Sequence, residues 1–218
     1  MFADRSLYLV TGEDASSGRS TYHVVEKALA GGVDVIQMRE KNLPEKELIS
    51  LGRRLAALCA EHKALFIVND NPFIARETGA CGVHLGQEDV LKYPLAETRK
   101  ILGENKIIGV STHSYEQFIA VDISVADYIA FGPVFPTQTK DYFIGKKDVA
   151  KVLQASSKPV VFIGGINVSN IKELLSLGAR NVAVIRAITR AEDIQRRVKL
   201  LKKIMKEYYE DSRYDNKS

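Results

Sequence analysis

Tryptophan is absent from the 218 residues, cysteine occurs only twice and histidine four times. Cys59 and Cys81 form no C-x-x-C pair and no framework spacing, so a disulfide scaffold is excluded and both read as small core residues in a reducing compartment. No His-Cys cluster supports zinc. Long apolar runs are also missing: nothing approaches the ~20 residues needed to span a bilayer. The opening "MFADRSLYLVTG" has no basic segment followed by a signal-length apolar run, so a cytoplasmic protein is expected. Charge of one sign is scarce as well, with 31 basic against 27 acidic residues. Much of that excess falls in the last helix-like stretch, where Val198, Leu201 and Ile204 are interleaved with it. Such spacing suits one buried helical face with a solvated basic back, and nucleic acid is not an expected partner.

What is present is alternation. Short apolar runs at 7–10, 33–39, 65–70, 82–85, 107–111, 128–132, 160–164 and 182–185 read as strands. Helical patterns separate them. The clearest covers 45–61, where Leu48, Leu51, Leu55 and Leu58 recur at three-and-four spacing. Ser114 with Gln117, Asn170 with Glu173 and Thr189 with Glu192 have the spacing of capping boxes. The return from helix to strand reuses one small-residue turn, in "GGVDVI", "GACGVHL" and "GARNVAVI".

Strands separated by helices are normally parallel, and no composition break divides the chain. The turn after the first strand, "TGEDASSGRS", lacks the G-x-G-x-x-G pattern of many open doubly wound sheets. Eight units in this length predict an α/β fold: a single-domain (β/α)8 TIM barrel of parallel strands over 1–218, its polar end at 209–218 fraying.

Active sites of such barrels sit where the strands end. The second strand runs into "VIQMREK", whose alternate Gln37, Arg39 and Lys41 would share the inward face with Val33 and Val35. The third ends in Asn69 and Asp70, the fourth in Gln87, Glu88 and Asp89, the fifth at Ser111. The sixth leads into Thr137, Thr139 and Lys140, the seventh into "GGIN", the eighth into Arg186. Arg offers a planar fork and Lys a compact charge, a pairing that suits a diphosphate. Asp70 and Asp89 would repel each other without a cation between them, and Mg²⁺ is the natural one, since it shares hard oxygen ligands with substrate phosphates. Gly165 would let backbone N–H groups approach a second phosphate. Two phosphate sites imply two small-molecule substrates.

Each residue also has a plainer reading. Arg39 could pair with Glu40; Asp70 could cap the helix through "NPFIARE" and Asp89 the one before "VLKY". His84 follows a strand pattern and reads as a satisfied core group; His113 sits near the rim without an acid or nucleophile beside it. No Ser-His-Asp set can be assembled, and "GVSTH" is not a nucleophile elbow.

Taken together, "QMREK", "VND", "GVHLGQED", "GVSTH", "GPVFPTQTK", "IGGIN" and "VAVIRAI", in this order over residues 7–190, resemble the thiamine phosphate synthase family, a (β/α)8 barrel. The resemblance implies a transferase of thiamine biosynthesis. It would join 4-amino-2-methyl-5-(diphosphomethyl)pyrimidine to a thiazole phosphate, giving thiamine phosphate and pyrophosphate with Mg²⁺ present. It further implies that the pyrimidine diphosphate is held by the segment Gln37, Met38, Arg39, Glu40 and Lys41 together with Asn69, Ser111 and Lys140. Arg39, Lys41 and Lys140 would be catalytic and Asp70 and Asp89 metal ligands. Thr137, Gln138, Thr139, Gly165, Ile185 and Arg186 would take the thiazole phosphate, with Arg186 where the family often has Ser. A related thiazole tautomerase and a non-catalytic sensor barrel are the alternatives. A homo-oligomer is compatible with the sequence, which specifies none, and no membrane partner is expected.

Overall fold

Among the described residues, eight strands of four to six residues pair in chain order and close β1 against β8, every pair parallel. The structure, a computed structural model, describes residues 5–137 and 142–215, with side chains through residue 210. The strands are β1 Leu7–Val10, β2 Val35–Met38, β3 Leu65–Asn69, β4 Gly82–Leu85, β5 Ile107–Thr112, β6 Tyr128–Phe131, β7 Val160–Ile163 and β8 Asn181–Val184. Between and after them lie α1 Thr21–Gly31, α2 Glu45–Glu61, α3 Pro72–Glu77, α4 Gln87–Lys92, α5 Leu95–Leu102, α6 Tyr115–Asp122, α7 Val149–Ala155, α8 Ile171–Ser176, α9 Arg186–Thr189 and α10 Ile194–Asp215. No helix among the described residues is long and apolar enough to cross a membrane.

A strand buried on both faces reads as a continuous apolar run, because alternate residues enter two different cores. The outer core lies between sheet and helices and takes Leu7, Leu9, Ile36, Met38, Phe66, Val68 and their counterparts. The inner one fills the barrel with Tyr8, Val10, Val35, Ile67, Tyr128, Val161 and Ala183. Val33, expected on the inner face with Val35, belongs to the outer core because it precedes the strand and closes a turn.

That turn is the repeated unit. Gly32, Gly79 and Gly178 all adopt left-handed backbone just past a helix, and Lys63 does the same at φ 57°. In each case the following N–H, of Val33, Ala80, Ala179 or Ala64, reaches back to the helix carbonyl five residues earlier. This is the Schellman bond, and the residue that makes it is buried against the helix it ends. Four of the helix-to-strand returns are thus one piece of turn chemistry.

α2 begins after Pro44 with Glu45 and Glu47 in its first turn, where carboxylates suit the helix dipole. Ser114 caps α6 as expected, its Oγ accepting from the Gln117 N–H at 3.2 Å while Gln117 Oε1 accepts from the His113 N–H at 2.7 Å. Asn170 precedes α8, but its Oδ1 accepts from the Asn167 N–H at 2.8 Å and does not cap the helix. Thr189 does not start a helix. It ends α9, and its buried hydroxyl donates to the Ala15 carbonyl at 2.6 Å, while Asp193 accepts from the Arg196 N–H as α10 begins.

α10 buries Ile194, Val198, Leu201, Ile204 and Met205 and keeps its basic residues on the other side. It packs so closely on α1 that a Cβ on Gly31 would lie 2.6 Å from Val198 Cβ. Lys202 crosses to Asp34 at 2.6 Å, and Asp34 also accepts from the Leu7 N–H at 2.7 Å, tying the last helix to the first strand. The helix continues to Asp215, and the Tyr209 hydroxyl donates to the Ala179 carbonyl, so residue 209 is docked on the barrel.

Candidate active site

At the carboxyl ends of the strands a cavity of about 440 Å³ opens into the barrel. Tyr8, Val10, Ala130, Val161 and Ala183 line its depth; Gln37, Arg39, Asn69, Ser111, Thr137, Gly165, Ile185 and Arg186 line it toward the rim. Eight of the residues expected at the site from sequence therefore face one space. Its volume lies within the usual ~300–1,000 Å³ of small-molecule sites.

Gln37 and Asn69 share the inward parity of their strands with Val35 and Ile67. β2 ends at Met38, however, so counting by twos does not carry on to Lys41. The neighbouring residues show why the chain turns there. Glu40 is buried, and its carboxylate accepts from the Thr11 hydroxyl at 2.7 Å, the Thr21 hydroxyl at 2.6 Å and the Glu13 N–H at 2.9 Å. Thr11 Oγ1 in turn accepts from the Arg39 N–H at 3.1 Å. Glu40 thus clamps the loop after β1 to the loop after β2 and leaves its neighbour Arg39 on the cavity wall. Its oxygens are engaged by these donors and not by the guanidinium. The Met38 side chain lies in the outer core, so neither Met38 nor Glu40 brings a side chain to the cavity. Lys41 is exposed and lines a small cleft beside the cavity with Glu13, Asp14 and Arg39.

Asp70 follows β3 in left-handed backbone, φ 66°, a conformation uncommon for residues other than glycine. It does not cap α3. Asn71 does, its Oδ1 accepting from the Phe73 N–H at 2.9 Å and the Ile74 N–H at 3.2 Å. The Asp70 carboxyl is pushed up to about 7 by burial and by its hydrogen bond and charge repulsion with Asp89, while Lys41 and Arg39 pull it back down. Asp89 has a second task, since it accepts from the Gly86 N–H at 2.9 Å and secures the start of α4. The two acids and the two cations of the rim are thus within electrostatic reach of one another. Two half-buried carboxylates in contact are a fitting anchorage for a hard cation that completes its shell with water and phosphate oxygen. Among the described residues no third His, Cys, Asp or Glu joins them into a full protein cage.

On the opposite wall Gly164 and Gly165 adopt positive φ, 102° and 66°. A Cβ on Gly165 would lie 2.3 Å from the Pro136 carbonyl oxygen, so only glycine lets the loop after β6 lie across β7. Asn167 and Asn170 side chains donate to the Gly165 carbonyl at 3.2 and 3.0 Å and fix the turn. His113 Nδ1 lies 2.6 Å from the Gly132 carbonyl. Gln138, Thr139 and Lys140 lie outside the described residues.

Sequence reasoning missed the floor. The Tyr8 and Tyr128 hydroxyls are 2.9 Å apart, Gln37 Nε2 donates to Tyr8 at 2.8 Å, and His84 joins Tyr128 and Ser111 through its two ring nitrogens, each at 2.8 Å. His84 is a satisfied core histidine, as read, but its core is the inner one. Burial lowers its pKa to about 4 and raises the pKa of both phenols, so all three groups are neutral. The inward parity of Tyr8 with Val10 was the available signal.

A family profile described as thiamine monophosphate synthase matches residues 7–188. Thiamine-phosphate synthase of Shouchella clausii is 41% identical over 192 residues, 87% of this chain and 90% of that protein. The same-named protein of Persephonella marina is 41% identical over 207 residues, 94% of this chain and 98% of its own. The solved thiamine phosphate pyrophosphorylase of Pyrococcus furiosus superposes with a TM-score of 0.85 at 37% identity, covering 94% of this chain and 96% of that one. With the barrel closed, the rim assembled and likeness running over nearly the whole length, the chain belongs to the thiamine monophosphate synthase family.

Proposed function

We propose that this chain is a transferase that joins 4-amino-2-methyl-5-(diphosphomethyl)pyrimidine to a thiazole phosphate, releasing pyrophosphate. The observation that carries the reading is the gathering of Arg39, Lys41, Asp70 and Asp89 beside the rim of a cavity into which Gln37, Asn69 and Ser111 open.

In the reaction the C–O bond to the diphosphate breaks first, and its electron pair leaves on oxygen. The aminopyrimidine spreads the resulting positive charge. The thiazole nitrogen then donates its lone pair to the methylene carbon and closes the C–N bond. No protein nucleophile takes part, and the Ser111 hydroxyl, 2.8 Å from His84 Nε2, serves as a hydrogen-bond partner of the diphosphate. Arg39 and Lys41 stabilise the departing anion: at an effective dielectric near 20, a cation ~4 Å from it contributes on the order of 4 kcal/mol before desolvation. Gln37 and Asn69 orient the pyrimidine against the depth of the cavity, where Val10, Ala130, Val161 and Ala183 help keep water from the cation. Gly165, Ile185, Arg186 and Thr137 hold the thiazole phosphate across the cavity. Asp70 and Asp89 would hold Mg²⁺, which when bound neutralises diphosphate charge.

The assay is direct. Given both substrates and Mg²⁺, the protein should release pyrophosphate and form thiamine phosphate in equal amounts. Conversion of a thiazole phosphate without the pyrimidine would mark an isomerase, and saturable binding without product a sensor; either result would overturn the proposal.

A further inference from the structure

We propose that Tyr8, Tyr128 and His84 are positioning residues, a relay of hydrogen bonds running one way across the barrel that presents Gln37 to the cavity as an acceptor and Ser111 as a donor. The choice of direction and the ligand contacts rest on the synthase reading above; the hydrogen-bonded links themselves do not.

With the Gln37 amide nitrogen turned to Tyr8, one direction gives every proton of the chain a partner. Gln37 Nε2 donates to the Tyr8 oxygen at 2.8 Å. A phenol has one proton to give, and in the proposed relay Tyr8 directs it to the Tyr128 oxygen, 2.9 Å away. Tyr128 passes its own to His84 Nδ1 at 2.8 Å. A neutral imidazole that accepts at Nδ1 carries its proton on Nε2, which therefore donates to Ser111 Oγ at 2.8 Å. The Ser111 proton is left to point outward, and so is the Gln37 carbonyl oxygen. Gln37, Tyr8, Tyr128 and His84 are all buried, so water does not reset the links, and each bond polarises the next.

Chemistry at the two ends selects this direction over its reverse. The ionised oxygens of a diphosphate only accept, so a Ser111 hydroxyl turned inward toward His84 would offer them nothing but lone pairs. An exocyclic amine donates, and a Gln37 amide nitrogen facing it would set donor against donor. Further anchoring holds the Ser111 end in place, since the Gln87 amide donates to the Ser111 carbonyl at 2.5 Å. Gly109 makes room for the Tyr128 ring, because a Cβ there would fall 2.0 Å from it.

Two measurements test this on the full chain. Long-range ¹H–¹⁵N spectra of the wild-type protein at neutral pH, with His84 assigned by loss of its signals in His84→Gln, should show the Nε2–H tautomer. An Nδ1–H tautomer or a doubly protonated ring would overturn the relay, whatever the enzyme's reaction. In the second, inorganic pyrophosphate with Mg²⁺ is titrated by calorimetry into wild type, Tyr128→Phe, Ser111→Ala and the double variant. Tyr128→Phe should weaken binding about tenfold, the worth of one hydrogen bond to a charged group, and change it less than about twofold once Ser111 is gone. Equal losses in both backgrounds would show that Tyr128 acts on the fold alone and would overturn the proposal.

Discussion

Gly109→Ala strikes the barrel floor without touching a rim group. The added Cβ falls 2.0 Å from Tyr128 Cζ, 2.1 Å from Cε1 and 2.4 Å from the hydroxyl, where ordinary contacts begin at 3.4 Å. Ring and strand would have to separate by more than an ångström. The ring cannot retreat easily: it is fully buried, stacked on His84 at 5.5 Å between centroids, and its hydroxyl is bound to Tyr8 and His84. Overpacking of this kind costs about 1–3 kcal/mol, and two buried hydrogen bonds broken in the adjustment add about 1 kcal/mol each. A loss of about 4 kcal/mol in a chain of this length lowers the melting temperature by roughly 10 °C. Thermal unfolding followed by circular dichroism reads this directly. In a Tyr128→Leu background the struck ring atoms are gone, and the same glycine change should cost less than about 1 kcal/mol. A Gly109→Ala protein melting within ~2 °C of wild type, or losing as much without the Tyr128 ring as with it, would refute the packing argument.

Arg39→Ala should lower turnover by ~10² or more with the melting temperature almost unchanged, since it removes a charge from the leaving group and no core contact; near-normal pyrophosphate release would be contrary evidence. Asp70→Ala should raise the Mg²⁺ concentration needed for half-maximal rate without disturbing any helix, because Asn71 holds the α3 cap. Asp89→Ala should do the same and also destabilise the chain by about 1 kcal/mol through loss of its bond to the Gly86 N–H; an unchanged metal titration for both would remove the metal role. Acid stability should report His84. Its folded pKa, about 4, lies below the unfolded 6.5, so the unfolded state binds the extra proton between those values and stability falls as pH drops through that window. Wild type should lose up to about 1.4 kcal/mol per pH unit relative to His84→Gln between pH 6.5 and 4, the opposite slope of Asp70 being common to both. Denaturant unfolding with a pH-independent difference would contradict the neutral buried ring.

How much of this was legible beforehand depended on whether a residue's fate is decided by its neighbours in sequence or by partners far away. The apolar runs at 7–10 and 82–85 and the helix over 45–61 match their elements residue for residue, because burial on both faces and three-and-four spacing are local patterns. The small-residue turns are local too, since the Schellman bond spans only a few residues. Thr189 carried an equally good local signature and failed, because a carbonyl at Ala15 claimed its hydroxyl. Lys41 kept the right alternation on paper, yet the strand had ended, held short by a carboxylate clamp on Thr11 and Thr21. Tyr8 and Tyr128 were hidden by the opposite effect: parity pairs Tyr8 with Val10, but nothing local says that a hydroxyl inside an apolar run will find a partner across the barrel.

The rim acids show most clearly where local information stops. Asp70 and Asn71 are adjacent, and either side chain can cap α3, so spacing alone leaves the role of Asp70 undecided. In the fold Asn71 takes both orphan N–H groups, and Asp70 is left in left-handed backbone with its carboxyl toward Asp89. Asp89 meanwhile serves its own helix and the rim at once. One carboxylate is therefore set aside by a neighbour that caps in its place, and the other is held in position by the cap it makes. Replacing Asn71 with Ala should then do more than cost about 1 kcal/mol of helix stability. It should free Asp70 to swing toward the vacated N–H groups and weaken metal binding from a position that contributes no ligand. A lower melting temperature with an unaltered Mg²⁺ titration would separate the two roles and refute the link between them.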